Sequence, residues 1–161
     1  MAHPVCARLV DCIAQASKQT NMKVNRGGTY VCMEGPQFST RAESLMHRKW
    51  GGDLIGMTAM PEAKLAREAQ MCYALIALVS DYDCWRDNRS KMDKQTLIKE
   101  IMGNLGRATA NCFKLIEAVL AGKLELTDDD CTCRRSLALA VWTQAGAIPK
   151  TEKRRLAVLF E

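Results

Sequence analysis

No stretch of this 161-residue sequence approaches the roughly 18 consecutive apolar residues that a membrane-spanning helix requires. The N-terminal Met1-Ala2-His3-Pro4 has neither the basic nor the apolar region of a signal peptide. A cytoplasmic protein without a membrane partner is therefore expected. Histidine is scarce: only His3 and His47 occur, and neither follows Cys131-Thr132-Cys133. That pair is also closer than the two-residue separation usual for structural zinc ligands, so no metal is expected from its spacing. Internal repeats and low-complexity tracts are absent. With 48% hydrophobic and 25% charged residues the composition excludes a disordered or collagen-like chain.

What the chain has is one core's worth of globular sequence with a formal net charge of +5. The charge is dispersed, apart from Arg134-Arg135 and the cluster Lys150, Lys153, Arg154 and Arg155 near the end. These read as a solvated helix face, so no nucleic-acid partner is expected. The eight cysteines fall mostly in apolar segments at irregular spacing, the pattern of small buried hydrophobes rather than a disulfide scaffold. Cys131 and Cys133 are read as two thiols rather than a strained pair.

Periodicity sets the elements. Val5, Leu9, Val10, Ile13 and Ala16 share one helical face after Pro4. Thr29 to Met33 reads as a strand that runs into Glu34-Gly35-Pro36. A helix then starts at Ser39-Thr40, with Glu43 at the capping-box distance from Thr40, and ends at Gly51-Gly52. Asp53 to Met57 is a second strand and Pro61 to about Gln70 a third helix. The nearly continuous apolar run Cys72 to Ser80 predicts a strand buried on both faces. Lys94 to Leu120 is a long helix, after which Asp128-Asp129-Asp130 caps a final helical segment interrupted at Gly146 to Pro149. The alternation predicts an α/β fold, a central mixed β-sheet flanked by helices, with residues 1–122 as its body and 123–161 as a helical tail.

In such folds ligands bind beyond the carboxyl ends of strands. Three strand ends carry chemistry: Glu34-Gly35-Pro36 followed by Phe38, the pair Met57-Thr58, and Asp81-Tyr82-Asp83. Singly each is ordinary core or turn. Together they supply an apolar wall, a hydroxyl and two carboxylates, suited to a flat polar ligand.

The run from Gly28 to Glu43 (GTYVCMEGPQFSTRAE), then Gly56-Met57-Thr58-Ala59-Met60-Pro61-Glu62, and then Ser80-Asp81-Tyr82-Asp83-Cys84-Trp85 resemble the motifs of the trimeric purine nucleoside phosphorylase family. The third run resembles its methylthioadenosine-cleaving branch. The resemblance spans Met1 to about Leu120 and implies phosphorolysis of S-methyl-5'-thioadenosine to adenine and 5-methylthioribose 1-phosphate by a homotrimer. The partners it implies are a small-molecule purine nucleoside and inorganic phosphate, the latter a co-substrate, with no cofactor. It implies Phe38 beside the base or sugar, Met57 against the ribose, Thr58 bound to phosphate, and Asp81 and Asp83 on the purine. Two carboxylates one residue apart repel when both are ionised, so one is expected to hold its proton more tightly and to act as general acid to the departing base. Ser39 after Phe38, together with Asp81, implies a 6-aminopurine.

Family members carry an N-terminal portion with a glycine-containing phosphate loop, an Arg-His pair and a Thr-Ala segment. These do not precede Met1, so the sheet is expected to be incomplete on its N-terminal side and Thr58 to be the sole recognisable phosphate ligand. Two other readings stay open: a purine nucleoside phosphorylase of different base preference, and a non-catalytic purine-binding fragment.

Overall fold

The computed structural model describes residues 1–86, 93–122 and 130–160. The proposed boundary at 122/123 borders the undescribed residues, and Asp128 and Asp129 lie outside the described ones.

Six α-helices and a two-stranded parallel sheet form among the described residues. They are α1 (Ala7–Ser17), β1 (Tyr30–Cys32), α2 (Arg41–Lys49), β2 (Leu54–Gly56), α3 (Ala59–Glu68), α4 (Lys94–Ala121), α5 (Lys150–Arg155) and α6 (Ala157–Phe160). Tyr30 pairs with Leu54, Val31 with Ile55 and Cys32 with Gly56. The carboxylate of Asp53 ties the strand starts together by accepting from the Thr29 N–H at 2.7 Å.

The local chemistry explains each boundary. Thr40 and Glu43 form the reciprocal capping box expected at the start of α2. Its end is closed by Gly51 at φ +83°, with the Gly51 and Gly52 N–H groups donating back to Arg48 and His47 carbonyls. A Cβ at Gly52 would stand 2.7 Å from the Val31 side chain, so the absence of one lets α2 lie close on β1. The Asp93 carboxylate caps α4 by accepting from the Gln95 and Thr96 N–H groups. α1 packs against α4.

Two expectations need correction. Residues 72–80 do not form the third strand; the two strands present among the described residues are parallel. A strand needs backbone partners along its length. Among the described residues this segment has only anchors near its ends, where Tyr73 O accepts from the Cys6 N–H at 2.7 Å and Ser80 O from Asn104 Nδ2 at 2.7 Å. Leu75, Leu78 and Val79 are consequently exposed. The tail is not one interrupted helix either: short 3-10 turns at Thr132–Arg135 and Ala145–Ala147 precede α5. Pro149 stands at the N-cap of α5, where its missing N–H costs nothing, whereas within a continuous helix it would remove a hydrogen bond.

The tail nevertheless docks on α3. Ser136 Oγ donates to Arg67 O at 2.6 Å, and Gln70 Nε2 donates to Leu159 O at 2.9 Å. Trp142 is 92% exposed, with its indole N–H donating to Leu139 O.

Candidate functional site

Because β1 and β2 are parallel and in register, both chains leave the sheet on the same side. Met33 N–H extends the pairing by donating to Gly56 O at 2.9 Å, so the segments beginning at Met33 and Met57 start side by side. Gly35, at φ +73°, then turns the first segment against the second. A Cβ there would overlap Met57 Cε, so glycine serves both the backbone conformation and the approach of the methionine. A further tie joins the two exits, since Met60 N–H donates to Cys32 Sγ at 3.5 Å.

The third motif reaches this place through α2. Asp83 opens a 3-10 turn, Asp83–Trp85, that packs on α2. Ser44, on the inner face of α2 and only 2% exposed, donates its hydroxyl to Asp83 Oδ2 at 2.5 Å. Arg41, one residue past the N-cap, donates to Trp85 O at 3.2 Å, while the Arg48 guanidinium lies 3.7 Å from the centre of the Trp85 ring. Asp83 adopts φ +56°, a left-handed conformation that aspartate tolerates better than most residues. Its N–H points to Asp81 Oδ1 at 3.4 Å, which folds the two carboxylates into one turn. Cys84 Sγ donates to Ser39 O at 3.3 Å and Ser39 Oγ to Met33 Sδ at 3.6 Å, closing the circuit from the third motif back to the first.

Ser39, Met57, Asp81 and Asp83 are thus linked by these contacts and are half-buried. Phe38 lies on the same turn but is 81% exposed, so its ring is offered outward rather than used in the core. Thr58 is the N-cap of α3 and exposed. The Glu62 carboxylate lies one turn on, and Tyr73 Oη donates to its Oε2 at 2.9 Å. The neighbouring Thr58 and Tyr73 hydroxyls hold the Glu62 carboxyl below its ordinary range. Desolvation, and then the bond to Glu62, push the Tyr73 phenol up to about 12.

Reading the sequence for strand-end chemistry did not find Ser44, Arg41, Glu62 or Tyr73 as supports of the site. Two of them left a signal. Ser44 is a small polar residue four after the N-cap Thr40, on the face of α2 turned inward, and Glu62 stands four after Thr58 at the spacing where helical side chains meet.

Residues 1–121 match the phosphorylase superfamily, and the chain belongs to that family. The S-methyl-5'-thioadenosine phosphorylase of Geobacter sulfurreducens is 41% identical over 162 residues, covering 99% of this chain and 54% of the relative. A methylthioadenosine phosphorylase from an antarctic soil metagenomic library has a crystal structure that superposes with a TM-score of 0.80 at 39% identity. That match covers 99% of this chain and 55% of the other. The methylthioadenosine phosphorylase of Schistosoma mansoni in complex with adenine is 28% identical with a TM-score of 0.68, over 91% of this chain and 54% of that one. The fold is accordingly that of part of a nucleoside phosphorylase. The chain spans about half the length of the curated relatives it matches.

Proposed function

We propose that this chain carries the purine- and ribose-binding part of an S-methyl-5'-thioadenosine phosphorylase, a pentosyltransferase of purine and methionine salvage. The observation that carries the reading is the convergence of three sequence-distant motifs beyond the carboxyl ends of β1 and β2. Gly35 meets Met57, Ser39 meets Cys84, and Ser44 holds Asp83. The names of the relatives supply the substrate.

In the reaction, inorganic phosphate attacks the anomeric carbon, the sugar gains oxocarbenium character, and adenine leaves with the bonding electron pair. Asp81 and Asp83 face the purine in this reading. One carboxylate accepts from the exocyclic amine, and the other, protonated, donates to the imidazole nitrogen that gains electron density. Asp83 is suited to a fixed role because Ser44 and the turn hold its orientation. Phe38 and Met57 present apolar surface to the base and ribose, and Ser39 positions the turn between them. Thr58 serves phosphate from the N-terminus of α3, where the helix dipole favours an anion. The chemistry calls on no cofactor, because phosphate is itself the nucleophile. A homotrimer in the cytoplasm completes the reading; the exposed Phe38, Leu139 and Trp142 are the surfaces that assembly would cover.

The test is calorimetric titration of adenine into the 161-residue chain, alongside phosphate-dependent release of adenine from methylthioadenosine by this chain and by a form extended upstream. Asp83→Ala abolishes adenine binding, while Cys112→Ser leaves it intact. Equal affinity in both variants refutes the assignment of Asp83. Turnover of inosine in place of methylthioadenosine moves the protein to a 6-oxopurine phosphorylase.

A further inference from the structure

Away from the purine site, the fold gathers four of the eight cysteines. Cys6 lies at the N-cap of α1, Cys72 at the start of the apolar segment after α3, and Cys131 and Cys133 in the tail. Their four Sγ atoms all lie within 4.8 Å of one another. Cys131 Sγ is 3.8 Å from Cys6 Sγ and 3.5 Å from Cys72 Sγ, and all four are free thiols.

We infer that Cys6, Cys72, Cys131 and Cys133 form a tetrahedral thiolate site for one structural zinc ion. Zinc–thiolate bonds of about 2.3 Å put the ligand sulfurs of a regular tetrahedron about 3.8 Å apart, close to the separations found here. A cluster of several irons would need the sulfurs held more widely than one shared ion does.

Two further features fit the ion. Four thiolates around a divalent cation leave a net charge of about −2, and two arginines stand against the sulfurs. Arg8 Nη2 donates to Cys72 Sγ at 3.8 Å, and Arg67 Nη1 donates to Cys133 Sγ at 3.9 Å. Cys6 and Cys133 are 4% and 5% exposed, whereas Cys72 and Cys131 are half-buried, and an open cleft bordered by His3, Arg67 and Glu68 gives a path of entry. Binding transfers one proton from each thiol to solvent and forms four zinc–sulfur bonds, with no change of oxidation state.

The consequence is mechanical. The ion would pin the tail to the head of α1 and to the segment leading toward Asp81, three pieces of chain that otherwise meet through a few hydrogen bonds. The separation of Cys131 from Cys133 by one residue gave no zinc signature because the other two ligands lie 125 and 59 positions from Cys131 in sequence.

The 161-residue chain, purified with reductant and without chelator, supplemented with zinc and desalted, is assayed for metal by mass spectrometry. About one zinc per chain is expected, and cobalt in its place gives the intense visible absorption of a tetrahedral thiolate complex. Cys131→Ser and Cys72→Ser, both at half-buried positions, each lower zinc content at least about tenfold, while Cys112→Ser retains it. A tight chelator lowers the Tm of the unaltered chain by on the order of 10 °C or more. Full retention of zinc in both serine variants overturns the inference. So does a zinc-free chain whose four cysteines titrate as thiols, or whose mass shows them joined as disulfides. The measurement on the unaltered chain needs no variant to fold, and its outcome does not bear on the purine site.

Discussion

Replacing Ser44 by alanine tests the joint that places Asp83. The hydroxyl is almost completely buried and makes a 2.5 Å bond to a carboxylate oxygen. Hydrogen bonds to charged groups contribute about 1.5–3 kcal/mol, and because Asp83 itself is half-buried, water recovers part of that, leaving about 2 kcal/mol. The cavity left by one oxygen atom adds little. For a chain of this size that corresponds to a fall in Tm of about 4–8 °C. If the joint also fixes the purine-binding carboxylate, adenine affinity falls by up to about 30-fold. Calorimetric titration of Ser44→Ala reads the affinity, and thermal melts of Ser44→Ala, Asp83→Ala and the double variant form a stability cycle. A coupling energy of about 1.5–3 kcal/mol is expected. Additivity within about 0.5 kcal/mol would show that the two side chains act independently and would refute the proposed support.

Two other perturbations address the supports of the same site. Thr40→Ala removes the reciprocal cap of α2 and costs about 1 kcal/mol in urea unfolding near neutral pH. The backbone and side chain of Thr40 hold the Glu43 carboxyl below its ordinary 4.5. The contribution of this cap is therefore complete above pH 4.5 and is lost as pH falls through the depressed value, so the difference between the two proteins narrows in acid. An unchanged difference at pH 3, roughly a unit or more below the unfolded carboxyl value, would contradict the role of Glu43. Gly35→Ala must hold a side chain at φ +73°, a strain of about 1–2 kcal/mol, and its methyl displaces Met57 Cε. Weaker adenine binding with an intact α2, followed by circular dichroism, is expected; unaltered binding would separate Met57 from the ligand.

The elements that could be read from the chain are those whose determinants are close in sequence. The Thr40–Glu43 box, the Gly51 terminator, the helical stripe of α4 and the two short strands each depend on residues within a few positions, and they form nearly where the pattern puts them. Strand-end logic also located the first two motifs of the candidate site, whereas the third, expected at the end of a strand that does not form, reaches them through α2. The segment 72–80 had the apolar content of a buried strand, but content does not provide backbone partners.

What the sequence by itself determined is therefore local: caps, helix faces, strand cores, and the residue types available at each strand end. Tertiary structure alone decided which of these meet. It set Ser44 on α2 against Asp83, turned the Tyr73 hydroxyl onto Glu62, and drew Cys6, Cys72, Cys131 and Cys133 together. The physical reason is the range of the forces involved. Backbone dihedral preferences and i to i+4 hydrogen bonds act along the chain and leave a periodic record. A hydroxyl–carboxylate bond or a thiol quartet is a short-range contact between residues tens of positions apart, set by how helices and sheet pack. No spacing rule along a single chain encodes that packing.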